Sequence, residues 1–341
     1  MKTFNEIPLS VLDLAPIVEG GSAADSFRNT LEFARHAERL GYNRFWLAEH
    51  HNMPGVASSA TSVLIGYVAA GTERIRVGSG GVMLPNHAPI VIAEQFGTLE
   101  TIYPDRIDLG LGRAPGSDRP AAHALRRTLY SDGDDFPDLL EELRFFFREP
   151  AEGQKVQAVP GGGTNIPIWL LGSSGFSARL AGQLGLPFSF AAHFSPEYTL
   201  PALKLYRESF VPSDDLKEPY AMVALNVFAA ETDDEARRIA SSQHQAFLAM
   251  IRNRPGRIKP PVEDMDAVWT PDEKALVASR LGGSVIGSAE TVRSGLEEFV
   301  KNTQADELMI SGMFFDQTDR LRSYEIVAEL HGGAKMHSVG G

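Results

Sequence analysis

The chain has 341 residues, 43% of them hydrophobic, so it can bury a large core. This length exceeds that of most single domains, apart from folds such as α/β barrels that need more residues. With 32 basic and 44 acidic residues the formal net charge is -12, which disfavours nucleic acid and anionic membrane surfaces as partners.

Two features that the sequence lacks limit the possible chemistry and cellular location of the protein. The chain contains no cysteine, which excludes disulfides, thiolate catalysis and cysteine-ligated zinc. The N-terminus lacks a basic region, and Asp13 interrupts the apolar stretch that follows, so no signal peptide is predicted. No apolar run approaches the roughly 20 residues of a membrane helix. We therefore expect a soluble, cytoplasmic protein.

The first third of the chain alternates short apolar runs with helical patterns. Predicted strands cover residues 7–14, 44–48, 75–77 and 106–111, and predicted helices cover 24–40, 59–70 and 88–103. In the first helix Phe27, Leu31 and Ala34 recur at helical spacing, and Gly41 follows where a left-handed stop is favoured. Strand and helix in repeated alternation indicate a parallel sheet covered by helices.

The alternation breaks at residues 113–163, which are polar except for a helix at 136–148, and again at 253–270. Further strands are predicted at 166–171, 188–191, 221–229 and 307–311, and helices at 175–184, 197–210, 233–252, 289–302 and 316–330. Eight strands predict an α/β fold, a TIM (β/α)8 barrel with insertions after strands 4 and 7. One domain would span residues 1–332, with a disordered tail at 333–341. A doubly wound open sheet is the alternative, because it differs only in closure.

Active sites of parallel barrels lie at the carboxyl ends of the strands, so polar residues there are the candidates. Glu49, His50 and His51 directly follow the second strand. A histidine exchanges protons near neutral pH, and a neighbouring carboxylate can fix its tautomer. The alternative is that one histidine packs against the barrel rim. Neighbours on an extended strand point to opposite sides, so zinc binding is disfavoured and no metal site is predicted.

Glycine and serine clusters follow two other strands. Glycines at 78, 80 and 81 would let a flat ring lie against the backbone, or could form an ordinary turn. Ser173, Ser174 and Ser177 surround a helix start whose free N–H groups suit a phosphate, although such serines are more often only caps. Arg113 could supply the cation. Together these residues predict a monophosphate site; no ATP or dinucleotide motif is present.

Several segments taken together closely resemble the bacterial-luciferase-like monooxygenases. They are WLAEHHNMPGVASSA, RVGSGGVMLPNHAP, AEQFGTLE, RIDLGLGRAPGSD and IPIWLLGSSGFSARLAGQLGLPFSFAAHF. The resemblance implies a luciferase-like TIM barrel in which reduced FMN reacts with O2 to give a flavin 4a-hydroperoxide. That species would oxygenate a small organic molecule such as an aldehyde. A separate NAD(P)H-dependent flavin reductase would supply the reduced FMN, and a homodimer would form through helices 59–70 and 88–103.

The resemblance also implies roles for individual residues. His50 would be catalytic and Glu49 would lie near the flavin. Gly80 and Gly81 would back the ring, in the family often through a cis peptide. Arg113 would bind the phosphate. The remaining cofactor-binding positions are Leu171, Gly172, Ser173, Ser174, Ser177, Ala191 and His193.

Two departures from luciferase argue against light emission. Gly112 stands where luciferase has a reactive cysteine, and Ser173 stands where it has an acidic residue. Two other functions remain open: a non-catalytic flavin-binding protein, and a deazaflavin-dependent hydride-transfer oxidoreductase. The substrate would contact residues 13–18 and the two insertions, the first of which would form part of a lid.

Overall fold

The computed structural model describes residues 2–113, 119–125 and 135–332. Its strands are β1 (Leu9–Asp13), β2 (Arg44–Leu47), β3 (Arg76–Met83), β4 (Ile107–Gly112), β5 (Ile168–Gly172), β6 (Phe188–Ala191), β7 (Ala221–Ala229), β8 (Val285–Gly287) and β9 (Glu307–Ser311). Strands β1 to β7 pair in chain order, all parallel, and β9 lies between β7 and β1. This closes an eight-stranded barrel and confirms the predicted TIM fold over the open sheet. Short β8 pairs only with residues 227–229 of β7.

Helices cover the outside of the barrel. They are α1 (Ala23–Arg39), α2 (Thr61–Ala70), α3 (Pro89–Ile102), α4 (Arg119–Ala124), α5 (Phe136–Phe147), α6 (Gly175–Leu184), α7 (Thr199–Ser209), α8 (Asp233–Ile251), α9 (Pro271–Leu281), α10 (Ala289–Thr303) and α11 (Gln317–Leu330). Local sequence explains their ends: a capping box between Ser22 and Asp25 begins α1, and Gly185 in the left-handed conformation ends α6.

The strands have apolar residues on both faces because both faces are covered. Every residue of β7 is buried, for example. Successive side chains alternate, so Val11 points to the helices while Leu12 points into the barrel. The barrel interior is filled by a small cluster whose members are Leu12, Trp46, Ala48, Trp169, Met222, Ala224 and Met309. This cluster lies beneath the carboxyl ends of the strands.

Strand β3 is longer than predicted. The sequence indicated a strand at 75–77 followed by a glycine-rich turn, but β3 continues through the glycines to Met83. The glycines allow neighbouring strands to pack closely. A Cβ on Gly78 would lie 2.6 Å from the carbonyl oxygen of Asp108, and a Cβ on Gly110 would lie 2.1 Å from the carbonyl oxygen of Ser79. Neighbouring β3 and β4 therefore exclude side chains at these positions.

Helix α9 and strand β8 follow the second insertion at 253–270, and neither was predicted. A capping box between Thr270 and Glu273, with proline at the first helical position, begins α9. Ile258 in the polar excursion donates a 3.0 Å backbone hydrogen bond to Ile17, and Glu19 donates one of 2.7 Å to Ile258. The excursion is thus tied to the loop that follows β1.

The lid predicted for the first insertion includes residues 114–118 and 126–134, which lie outside the described residues, as does the predicted disordered tail at 333–341. Within the described part of this insertion, α5 packs against α3 as a barrel helix. None of the helices in the described ranges combines the length and apolarity needed to cross a membrane.

Candidate functional site

A cavity opens at the carboxyl ends of the barrel strands and gathers nearly all the predicted site residues. Those that line it are His50, Gly80, Gly81, Arg113, Leu171, Gly172, Ser173, Ser174, Ser177, Ala191 and His193. They come from segments that lie up to 143 residues apart in the chain, and the barrel brings them to one edge because all its strands run in the same direction.

One end of the cavity combines a cation, hydroxyl groups and a helix N-terminus. Arg113 follows β4, and its guanidinium carbon lies 4.3 Å from the centre of the Phe176 ring. Ser174 is the N-cap residue of α6, but its side chain makes no capping hydrogen bond, so its hydroxyl remains available. Ser177 is buried in the first turn of the helix. Among the described residues Arg113 has no carboxylate partner. This end can bind a phosphate.

The floor of the cavity is backbone without side chains. The Gly80–Gly81 peptide is cis. A Cβ on Gly80 would lie 2.7 Å from Cδ1 of Leu12, and one on Gly81 would lie 2.7 Å from the Gly110 carbonyl oxygen. Gly80 and Gly81 therefore line the cavity without side chains, and a planar ring can approach their backbone closely.

Two histidines face the cavity from different strands. His50 follows β2 and His193 follows β6, and Nδ1 of each is buried without a hydrogen-bond partner among the described residues. Burial lowers the pKa of His50, although the Glu49 charge opposes this effect. Burial lowers the pKa of His193 to about 4, so this imidazole is neutral at physiological pH.

Glu49 has a different environment from the one expected. It is not among the residues that line the cavity, and its carboxylate accepts hydrogen bonds from Nε2 of His51 at 2.9 Å, Nε2 of His87 at 3.0 Å and the Met83 backbone N–H at 3.0 Å. Burial would raise the pKa of Glu49, but these hydrogen bonds outweigh it and the pKa is lowered. Glu49 therefore fixes the end of β3 and the orientation of the His51 ring. In contrast to the expectation, it does not fix the tautomer of His50. The flavin contact expected for Glu49 stays a prediction.

Asp13, which we expected at the substrate pocket, also points elsewhere. Its carboxylate accepts a 2.6 Å hydrogen bond from Arg320 and a 2.7 Å bond from Thr30, and all three side chains are buried among β1, α1 and α11. The next residue, Leu14, does line the cavity. At the end of β1, Asp13 thus packs against α1 and α11, whereas Leu14 forms part of the cavity wall.

Sequence reasoning missed much of the cavity wall. The additional lining residues are Leu12, Trp46, Ala48, Met83, Gly112, Ser189, Phe194, Ala224 and Met309. Most are apolar residues of the inward-facing strand positions, which a strand alternation pattern can identify only once the barrel is assumed. His87 was also missed, because its partner Glu49 is 38 residues away.

A larger cavity, about 660 Å³, lies at the opposite end of the barrel. Arg44 and Arg76 line it, and buried Asp108 pairs with both, at 2.8 Å and 2.7 Å respectively. Glu307 lies 3.1 Å from Arg44. Because these charges neutralise each other at the amino ends of the strands, we assign them to barrel stability.

Comparisons with known proteins agree with this geometry. A family model described as luciferase-like monooxygenase matches residues 8–307. A luciferase-like monooxygenase of Escherichia coli strain K12 is 52% identical over 328 residues, covering 96% of this chain and 98% of its own. The crystal structure of apo-MsnO8 has a TM-score of 0.90 and 38% identity, with 96% and 99% coverage. The oxygenating constituent of 3,6-diketocamphane monooxygenase from Pseudomonas putida, in complex with FMN, shares the fold at a TM-score of 0.72, 20% identity, and 95% and 97% coverage.

Proposed function

Because this chain belongs to the luciferase-like monooxygenase family, we propose that it binds FMN at the carboxyl ends of its barrel strands and uses the reduced flavin with O2 to oxygenate a small organic molecule, such as an aldehyde. Membership makes the chain a flavin-dependent oxidoreductase that incorporates oxygen. The observation that carries the FMN proposal is Arg113, which has no carboxylate partner among the described residues and lies beside the N-terminus of α6 in the same cavity as Gly80 and Gly81.

The residues present fit FMN at both ends of the cavity. Arg113, Ser173, Ser174 and Ser177 can donate hydrogen bonds to a phosphate, and the α6 dipole favours its charge. The Gly80–Gly81 backbone would back the ring, with Ala191 and His193 at its border. The unpartnered Nδ1 atoms of His50 and His193 support a polar ligand here, because buried polar atoms normally have a partner.

Bound reduced FMN would supply the electrons that activate O2. The chain would position the flavin, exclude water from it and control proton transfer. Arg113 and the serines would fix the phosphate, and the apolar walls formed by Leu12, Trp46 and Met309 would exclude water from the reacting side. His50 would hold or move a proton at Nδ1; burial lowers its pKa, and the nearby Glu49 charge opposes that effect.

We also propose two partners. A separate NAD(P)H-dependent reductase would deliver reduced FMN, as the resemblance to the luciferase-like monooxygenases implies. A second copy of the chain would cover α2 and α3, where Val63 is 68% exposed, Tyr67 40% and Ile102 58%. Leu64 and Val68 on α2 are buried and pack inward. Light scattering that gives the monomer mass would contradict the dimer.

Replacing His50 by alanine tests the catalytic proposal. We expect FMN affinity to stay within about twofold of wild type, because His50 lies away from the phosphate end. The yield of oxygenated product per reduced FMN should fall about tenfold or more, since proton transfer by a positioned histidine typically contributes at least this much. The yield is measured by mass spectrometry after a screen of aldehydes and ketones under 18O2.

Replacing His51 by alanine is the matched control, because His51 contacts Glu49 and is absent from the cavity lining. An equal loss in both variants would contradict a specific role for His50. If the wild type binds FMN but consumes no oxygen when reduced, the protein is a non-catalytic flavin carrier. If it binds a reduced deazaflavin in preference to FMN, it is a hydride-transfer enzyme.

A further inference from the structure

Strand β3 loses regular strand pairing where it reaches the cavity. On one side, its pairing with β2 stops at Ser79. On the other side, the ladder with β4 continues but shifts register between Gly80 and Val82. Gly80, Gly81 and Met83 line the cavity in this stretch. The backbone proposed to lie under the flavin ring is therefore held less firmly by strand pairing than the rest of β3, so side-chain contacts matter more here.

On the β2 side, a side chain takes the place of the missing strand. The backbone N–H of Met83 donates a 3.0 Å hydrogen bond to Oε2 of Glu49, which lies just beyond the end of β2. Glu49 is 1% exposed, and its lowered pKa keeps it ionised at neutral pH. Hydrogen bonds to a charged acceptor are stronger than those between neutral groups. The Glu49 carboxylate therefore fastens β3 beyond the point where its pairing with β2 ends.

His87 is the side chain that orients this carboxylate. Its Nε2 lies 3.0 Å from Oε1 and 3.0 Å from Oε2 of Glu49. Because an ionised carboxylate only accepts hydrogen bonds, Nε2 of His87 carries the proton. Two other side chains donate to Glu49, His51 at 2.9 Å and Asn86 at 3.2 Å, and both contact Oε1. Among the described side chains, only His87 contacts both oxygens, and it thereby keeps Oε2 turned toward Met83.

We propose that His87 is a positioning residue for the flavin ring, on which it acts through Glu49 and the Gly80–Gly81 backbone. This rests on the proposed function, because it takes FMN as the ligand. By holding both carboxylate oxygens, His87 keeps the Met83 end of β3 in place. Backbone that is fixed before the ligand arrives loses less freedom on binding. Loss of the His87 hydrogen bond therefore weakens binding of the ring itself, whereas loss of Arg113 weakens binding of the phosphate.

The test compares His87→Asn with His87→Gln. The Gln amide nitrogen lies close to the position of Nε2, whereas the Asn amide ends short of it. The His87 side chain is 28% exposed, so both polar replacements should fold. By fluorescence titration with oxidised FMN and, separately, with riboflavin, we expect the Kd of each ligand to rise about tenfold in H87N and less than threefold in H87Q.

His36→Leu is the control for a general loss of stability. His36 is a buried histidine on α1 whose Nε2 lies 3.2 Å from Glu325, outside the cavity. This variant should leave both Kd values unchanged, whatever its effect on the thermal unfolding temperature. An equal rise of both Kd values in H36L and H87N would contradict a specific role for His87.

A second readout follows the Met83 amide directly. With 15N-methionine labelling, its hydrogen exchange should be about tenfold faster in H87N than in wild type. The amides of Met222 and Met309, which lie in β7 and β9, should exchange as in wild type. An unchanged Met83 exchange rate, unchanged Kd values in H87N, or a loss confined to FMN would overturn the role of His87 while leaving the FMN proposal intact. If wild type binds neither flavin, the proposed function and this inference fail together.

Discussion

Arg113→Ala should weaken FMN binding about 100-fold, close to 2.7 kcal/mol, while leaving the protein folded. The guanidinium lies over the Phe176 ring at 4.3 Å and has no carboxylate partner among the described residues, so its hydrogen-bonding edge is available to a phosphate. Losing charge-assisted hydrogen bonds costs more than losing neutral ones. Titration of the apoprotein with oxidised FMN, followed by flavin fluorescence, measures the change.

Riboflavin provides the control for this variant, because it has the same ring and lacks the phosphate. Its affinity should be the same for R113A and wild type, so the preference for FMN over riboflavin should nearly vanish. Arg113→Lys should recover part of the affinity, since it keeps the charge and loses the planar fork. If R113A weakens riboflavin and FMN equally, Arg113 acts on the ring or on folding, and the phosphate assignment is wrong.

Asp13→Ala should lower the free energy of unfolding by about 3–5 kcal/mol, a large fraction of the stability of a typical domain. Asp13 is 1% exposed and accepts hydrogen bonds from Arg320, Thr30 and the Ala15 backbone N–H. Removing the carboxylate leaves the Arg320 charge buried without a counter-ion. Urea unfolding followed by tryptophan fluorescence measures the loss.

The double variant D13A/R320M separates an unpaired charge from lost packing. It should be more stable than D13A alone, because methionine removes the buried charge and keeps contact with Phe33, over whose ring Arg320 lies at 3.9 Å. Glu208→Ala, in the exposed pair with Lys204, is the control and should change stability little. A double variant less stable than D13A would contradict the account of Asp13 as a counter-ion.

The barrel could be predicted from sequence because its signals are local. Each strand is an apolar run buried on both faces, as in β7, and each helix has its own cap or stop, such as Ser22 and Gly185. Barrel closure depends on β9 pairing with β1, whose residues lie about 300 positions away in the chain. Periodicity holds no information about that pairing, so the sequence alone leaves the open sheet as an alternative.

The sequence could predict those residues of the candidate site that follow the end of a strand. It could not predict which side chains from different strands contact each other. His50, Arg113 and the α6 serines stand directly after strands, and the closed barrel brings them into one cavity. Glu49 was expected to fix the tautomer of His50 because the two are neighbours, yet its carboxylate turns to His51 and His87. Which way a buried carboxylate turns depends on donors supplied by other strands, and one strand's sequence does not reveal them.

The most direct test of the monooxygenase account is the rate at which O2 reoxidises reduced FMN in the presence of this protein. The protein is saturated anaerobically with reduced FMN and mixed with oxygenated buffer, and flavin absorbance is recorded by stopped flow. The account predicts that bound flavin passes through a distinct near-ultraviolet absorbing phase and reoxidises many times more slowly than free flavin. Reoxidation at the rate of free FMN, with no such phase, would contradict it.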